Sequence, residues 1–397
     1  MRLLPTIRLM KLLNSGMFVD AGRATEAVQG MGDLHGFWQK VGQHLSLYSF
    51  ETTDIFAPLQ DTSKVDKSVL NGFREKYPHI ASDLEFTSEQ PVSSASIGQV
   101  YKCFYGDRAV ALKLQHRKIK KALFFDLRIL SIMSGLLRLL PNKNINTART
   151  QIIDIIKQEL ENETNYRKEL EYQNLFANIF GKESFINIPV AFEELLTNDS
   201  VVSVWVEGES ILKCLKTGSS SEKQWVLSCI HHFYLKSLFR YGVIHADPHP
   251  GNFLVLQKEE FARLNVVDFG AVMEFSKEQL KGLRALLLHI NDLTLDEFAN
   301  IYLSLGFNPT VVEEYAPVLP DVSAILFEPF LTDESFNIRQ WRLQYKLNTL
   351  LASRTWSTGL IPPRPVLYLL RVIHGLYYYQ NVGNISFNWR QSLLECV

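Results

Sequence analysis

Cysteine is scarce in this chain. The four present, Cys103, Cys214, Cys229 and Cys396, are scattered and form no CxxC pair. That argues against a disulfide framework or a thiolate metal site and fits a reducing, intracellular setting. An excess of one charge is also missing: 41 Lys and Arg stand against 42 Asp and Glu, for a formal net charge of -1. A bulk polyanion finds no attraction here, and nucleic acid is not an expected partner. No apolar run reaches the ~18 residues that a membrane-spanning helix needs. The best stretch, residues 365–370, is cut at once by Arg371 and His374. Zinc-finger spacings, internal repeats and low-complexity segments are absent too. What remains is ordinary globular material, 46% hydrophobic and 21% charged over 397 residues, long enough for two or three subdomains around a sizeable core.

The chemistry concentrates in His245-Ala-Asp-Pro-His-Pro-Gly-Asn252, followed by Val266-Val-Asp-Phe-Gly270. Each follows a strand-like apolar run, Tyr241-Gly-Val-Ile244 and Leu264-Asn-Val-Val267. Asp247 can accept a hydroxyl proton or orient an attacking oxygen, while Asn252 and Asp268 are oxygen donors suited to magnesium. The spacing from Asp247 to Asn252 is that of a kinase catalytic loop, with Ala246 where protein kinases carry arginine. Asp268-Phe-Gly270 matches the metal-binding signature of the same enzymes.

Upstream, Pro91-Val-Ser-Ser-Ala-Ser-Ile-Gly-Gln-Val-Tyr101 is small and polar enough to turn tightly toward a phosphate, but the kinase GxGxxG is missing. Arg108-Ala-Val-Ala-Leu-Lys-Leu-Gln115 alternates as a strand and sets Lys113 among apolar neighbours. Such a lysine either needs an anionic partner or lies on a solvent face. Residues 150–180 are predicted as one long helix, rich in Glu, with Gly181 as its cap. Val201-Val-Ser-Val-Trp-Val-Glu-Gly208 is a strand entering a turn, either a hinge whose backbone bonds adenine or an ordinary core strand. A core helix over about 222–241 precedes the catalytic loop, with His231 and His232 as packing or surface residues. Ser276 with Gln279, and Thr294 with Glu297, form capping-box patterns, and Gly306 suits the end of the second helix. Residues 310–397 are aromatic-rich, and Tyr377-Tyr-Tyr379 is expected as helix-packing material.

Together with Lys40-Val-Gly-Gln43, Leu59-Gln-Asp61 and Ser93-Ser-Ala-Ser-Ile-Gly-Gln-Val100, these segments resemble the UbiB/AarF/ADCK family of atypical protein-kinase-like proteins over about residues 35–280. The resemblance implies an α+β, protein-kinase-like two-lobed fold. Its small, mainly β N-lobe carries added KxGQ helices, and its larger C-lobe is mainly α. The expected division is 1–90 for the KxGQ extension, 91–207 for the N-lobe and 208–397 for the C-lobe. ATP and Mg2+ are the implied cofactors. Implied catalytic residues are Asp247, Lys113 and Glu169, with metal ligands Asn252 and Asp268. Ala95, Ser96, Ile97, Gly98, Val100, Lys113, Val204, Trp205 and Val206 would contact ATP.

Lys40 and Gln43 of the KxGQ motif, with Glu163 and Asn165 of the ExD motif, would regulate the site by covering the place of a protein substrate. Asn165 stands where the family has a carboxylate, and an amide cannot neutralise a lysine. Ser93 and Ser94 replace two alanines of the family's loop. The implied activity is ATP hydrolysis or small-molecule phosphotransfer linked to ubiquinone or other isoprenoid lipids. A lipid-like ligand, peripheral membrane association and partners in a lipid-biosynthetic complex come with it. The alternative is an ATP-gated scaffold that does no chemistry. Basic residues Arg2, Arg8 and Lys11 fit a mitochondrial presequence, an ordinary first helix or a weak membrane contact, so the compartment stays open between mitochondrion and cytoplasmic membrane face.

Overall fold

The computed structural model describes residues 66, 68–94, 98–116, 128, 157–158, 161–162, 164–258, 261–352 and 362–397. The fold is α+β and kinase-like. Contacts divide the chain into two compact units, with crossings at Asn174/Leu175, Ile188/Pro189 and Val206/Glu207.

In the first unit, period-2 alternation builds an antiparallel sheet. Strand Gly98–Tyr105 pairs with Arg108–Gln115, which pairs in turn with Ser200–Val204, while Leu84–Phe86 and Ser93–Ser94 flank the first strand. One sheet face presents Tyr101, Cys103, Val110, Leu112, Leu114 and Val202. These pack with Val69, Leu70 and Phe73 of helix Ser68–Lys76 in a single core cluster. Register fixes what lies on the other face: Val100, Lys113 and Val201 share one row, and Lys102, Ala111 and Ser203 the next. Tyr166 and Leu170, at the start of helix Tyr166–Phe180, pack on Val201 of that face.

The predicted single helix over 150–180 is not what forms. Residues 157–158 and 161–162 are helical, but Thr164 and Asn165 are not, and the new helix starts at Tyr166. The Asn165 side-chain oxygen accepts the Lys168 amide at 3.2 Å. A local side-chain bond of this kind favours a helix start over helix continuation. Asn165 is therefore a cap on the helix that carries Glu169, in place of a residue on its face.

The second unit is organised on helix Ser220–Tyr241. A Ser219/Glu222 capping box opens it, and Gly242 closes it in the left-handed conformation at φ 74. Its inward side chains, among them Val226, Ile230, Phe233, Tyr234 and Leu238, are essentially fully buried. Strand Val243–His245 follows and pairs with Val272–Glu274, while Phe253–Lys258 pairs with Phe261–Val266. Phe176, Phe233, His245, Phe253 and Phe269 form a continuous aromatic cluster at ring separations of 5.1 to 6.4 Å. Burying each such ring contributes roughly 2 to 3 kcal/mol, so the loops that hold Asp247 and Asp268 rest on a well-buried aromatic cluster. Both expected capping boxes form, Ser276/Gln279 on helix Lys277–Leu288 and Thr294/Glu297 on Leu295–Ser304, and Gly306 takes φ 99 just past the second.

His231 is a packing residue, as its place on the core helix suggests. It lies between Phe387 at 4.5 Å and Trp389 at 4.6 Å. Neither ring nitrogen has a hydrogen-bond partner among the described residues. Burial pulls its pKa down to about 3, whereas an unfolded histidine titrates near ~6.5. As pH falls through 6.5 the unfolded chain takes up a proton that the folded chain refuses until about pH 3, so stability present above 6.5 is lost on acidification. Thermal unfolding should show a lower midpoint at pH 4.5 than at pH 7.5, and His231→Phe should reduce the difference. An undiminished difference in a well-folded variant would assign the acid sensitivity to other groups.

Candidate active site

In the first unit, Lys113 turns onto the sheet face that receives the Tyr166–Phe180 helix, and its Nζ lies 2.7 Å from Glu169 Oε1. The side chains are 16% and 3% exposed, so this is a largely desolvated pair. The Tyr166 ring also lies under the ammonium, 5.6 Å from Nζ. The sequence left Lys113 either paired or solvent-facing, and the geometry pairs it. Gly98, expected at the phosphate, is required by packing: a Cβ there would overlap the Leu114 carbonyl and approach the Tyr166 hydroxyl to 3.2 Å. Val100 sits beside Lys113 in the register. Of the three adenine-edge candidates, Val204 gives its amide to Val190 O and Trp205 gives its amide to Ala109 O. The Val206 amide, unlike those two, makes no backbone hydrogen bond to another described residue. Lys40, Gln43, Ala95, Ser96, Ile97 and Glu163 lie outside the described residues.

In the second unit, the catalytic-loop motif and the Asp-Phe-Gly segment are tied together by hydrogen bonds. His245 is fully buried, and its Nε2 lies 2.6 Å from the Asp268 carbonyl oxygen. Burial holds its pKa below the ordinary value, against the opposing pull of the Asp268 carbonyl and the Asp247 and Asp268 carboxylates. It is thus a neutral imidazole donating from Nε2–H. Asp268 takes the left-handed conformation at φ 63, which costs a non-glycine residue of order 1 kcal/mol. The His245 bond and a 3.2 Å bond from the Gly270 amide to Asp268 Oδ1 hold it there. Asn252 is buried, and its side-chain nitrogen donates to the Asp247 carbonyl at 3.1 Å and to Asp247 Oδ2 at 3.0 Å. Its amide oxygen is then the atom left to face a cation. Asn252 and Asp268 together supply hard oxygen donors, the set magnesium takes when substrate phosphates and water complete its shell.

One residue of this site escaped the sequence reading. Arg371 Nη2 lies 2.8 Å from Asp247 Oδ1, although 124 residues separate them. The only signals were indirect: Ala246 where kinases carry arginine, and a cation interrupting an otherwise apolar helix. Tyr379, expected only to pack, also donates its hydroxyl to the Pro248 carbonyl at 2.6 Å.

A sheet lysine paired to a helix glutamate, with a His-x-Asp loop bonded to Asp-Phe-Gly, defines a kinase-like protein. More narrowly, the chain belongs to the ABC1 atypical kinase-like domain family, whose description matches residues 66–301. It is 27% identical to the chloroplastic protein ACTIVITY OF BC1 COMPLEX KINASE 3 of Arabidopsis thaliana, over 74% of this chain and 40% of that protein. It is 26% identical to the mitochondrial atypical kinase COQ8 of Saccharomyces cerevisiae, over 72% and 57%. AarF domain-containing protein kinase 1 of Xenopus tropicalis is 27% identical over 57% and 44%. The matched part is therefore well short of two thirds of these relatives' lengths. A solved structure of Rv3197 from Mycobacterium tuberculosis, in complex with erythromycin, has the same fold. It superposes with a TM-score of 0.61 at 22% identity, covering 92% of this chain and 93% of that one.

The Lys113–Glu169 pair yields a stability test. Removing one member of a desolvated pair strands the other and costs about 3 to 5 kcal/mol, whereas replacing both by apolar groups is often neutral. Glu169→Leu should lower the urea midpoint clearly, and adding Lys113→Met should restore most of it. A double variant no more stable than the single would show that the lysine's charge was not the source of the cost.

Proposed function

We propose that this chain binds ATP with magnesium and acts as an ATPase or a phosphotransferase toward a small acceptor. Lys113 would hold the nucleotide phosphates, and Asn252 and Asp268 would hold the metal. Magnesium, when bound, supplies charge neutralisation on the phosphate oxygens. Asp247 would accept the proton of the attacking oxygen or orient it, its own carboxylate held still by Asn252 and Arg371. Lys113, Asp247, Asn252 and Asp268 are all present, so no residue that this chemistry needs has been replaced.

The observation that carries the choice of acceptor is the brevity of the chain after Asp-Phe-Gly270. Strand Val272–Glu274 pairs straight back onto Val243–His245, and Ser276 already caps the next helix. A protein kinase docks its peptide substrate on a long segment at this point, and there is no length for one here. Water or a small molecule is the better acceptor. The resemblance to UbiB-type proteins and the COQ8 and chloroplast kinase relatives support a role in ubiquinone or related isoprenoid lipid metabolism. They also support an organellar setting. A lipid-like ligand and partners in a lipid-biosynthetic complex belong to the same proposal. No helix among the described residues is long and apolar enough to cross a membrane, and the membrane association proposed with the lipid role is a peripheral one.

With magnesium, ATP and isoprenoid-containing vesicles, the purified protein should turn over ATP at least about a hundredfold faster than Asp268→Asn, since lost electrostatic stabilisation of a transition state costs ~10²–10³ in rate. Magnesium with ATP should also raise the melting temperature of the wild type, in line with its affinity. Equal turnover by wild type and Asp268→Asn would end the enzymatic proposal. A melting shift without turnover, with full function of Asp247→Asn in cells, would instead favour an ATP-gated scaffold.

A further inference from the structure

The Arg364–Gly383 helix touches the catalytic loop at three successive turns of one face. Arg371 reaches the Asp247 carboxylate at 2.8 Å. Four residues on, Gly375 lies against Pro248 so closely that any Cβ would overlap the proline ring. Four further on, Tyr379 donates its hydroxyl to the Pro248 carbonyl at 2.6 Å. Positions i, i+4 and i+8 share a helix face, so a rigid element is applied along the loop. Arg371 is only 11% exposed and its partner 25%, so water competes weakly for either group.

The pairing divides the Asp247 carboxylate between two holders, Arg371 on Oδ1 and Asn252 on Oδ2. Tyr234 and Tyr379 complete the buried wall, their phenols pushed well above the ordinary range first by burial and further by the Asp247 charge. In protein kinases the loop arginine next to this aspartate is available to a phosphorylated activation segment. Here that position is Ala246, which is fully buried. The segment that would carry the phosphate is reduced to a few residues.

Building on the proposed function, we infer that Arg371 is a positioning residue. From a distant helix it replaces the missing loop arginine, holds the Asp247 carboxylate in its working orientation, and makes the loop permanently ordered with no phosphorylation step. It acts through Asp247 and touches neither nucleotide nor acceptor. It should therefore affect turnover and leave nucleotide binding alone.

The test compares the full chain with Asp247→Asn, Arg371→Met, Arg371→Lys and the Asp247→Asn/Arg371→Met pair, measuring kcat and KM for ATP with magnesium. Each protein's melting shift with the same ligands is read in parallel. Arg371→Met should lose about tenfold or more in kcat, as expected when a reacting group is misplaced by a fraction of an ångström. Its KM and melting shift should stay within about twofold of wild type, because no nucleotide contact is removed. Arg371→Lys keeps the charge without the fork and should recover part of the rate. The double variant should be no slower than Asp247→Asn, because the effect of Arg371 on turnover runs through the Asp247 carboxylate.

A folded Arg371→Met with wild-type kcat overturns the inference. So does a melting shift lost in step with the rate, or a double variant slower than Asp247→Asn by the full Arg371→Met factor. Should Arg371→Met not fold, Arg371→Lys alone decides, by a kcat loss at unchanged KM. Wild-type turnover equal to that of Asp247→Asn would instead bring down the enzymatic reading, and this inference with it. Clear Asp247 dependence without Arg371 dependence would sink the inference alone.

Discussion

A charge held out of bulk water must be met by an opposite charge or by hydrogen-bond donors, and that constraint shapes the candidate residues of each unit. Asp247 sits on a loop packed over an aromatic core, and its two oxygens are taken by Arg371 and Asn252. Lys113 sits on the inner face of a sheet and is met by Glu169 at 2.7 Å. In each case the charged partner, Arg371 or Glu169, comes from a helix far along the chain. An unpaired ion at such depth costs several kcal/mol, comparable to a large share of a domain's net stability.

The surrounding fold makes these pairings possible at small cost. Register in the first sheet puts Lys113 beside Val100 and Val201, on the face opposite the Val110, Leu112 and Leu114 core. Tyr166 and Leu170 bury against that face, so Glu169 arrives within reach as a consequence of packing. In the second unit, neutral His245 ties the catalytic loop to the strained Asp268 backbone, and Phe269 closes the aromatic cluster beneath. The short return through Val272–Glu274 leaves a kinase-like loop without the segment that would present a peptide.

Much of this was legible in the chain because it is local. Capping boxes at Ser276 and Thr294, the β alternation around Lys113, and the Asp247, Asn252 and Asp268 spacing all depend on neighbours within a few residues. The error over residues 150–180 was local as well: the run of Glu suggested one helix, and the capping power of Asn165 was overlooked. Gly98 carries a packing requirement that the chain does not show. A small residue beside a phosphate and a small residue under a carbonyl look alike until the Leu114 backbone is seen against it. Arg371 was invisible because a lone cation in an apolar helix has no pattern to mark its partner.

By itself, then, the sequence determined which oxygen and nitrogen donors stand at kinase-like spacings, and the family, through motifs that recur as contiguous strings. The tertiary structure alone decided which charge neutralises which. It paired Lys113 with Glu169 and Asp247 with Arg371, and it turned Asn165 from a helix-face residue into a cap. The physical reason is range. Spacing and capping act over one or two turns of chain, whereas the neutralisation of a buried charge is settled by whichever side chain packing brings within about 3 Å, however distant in sequence.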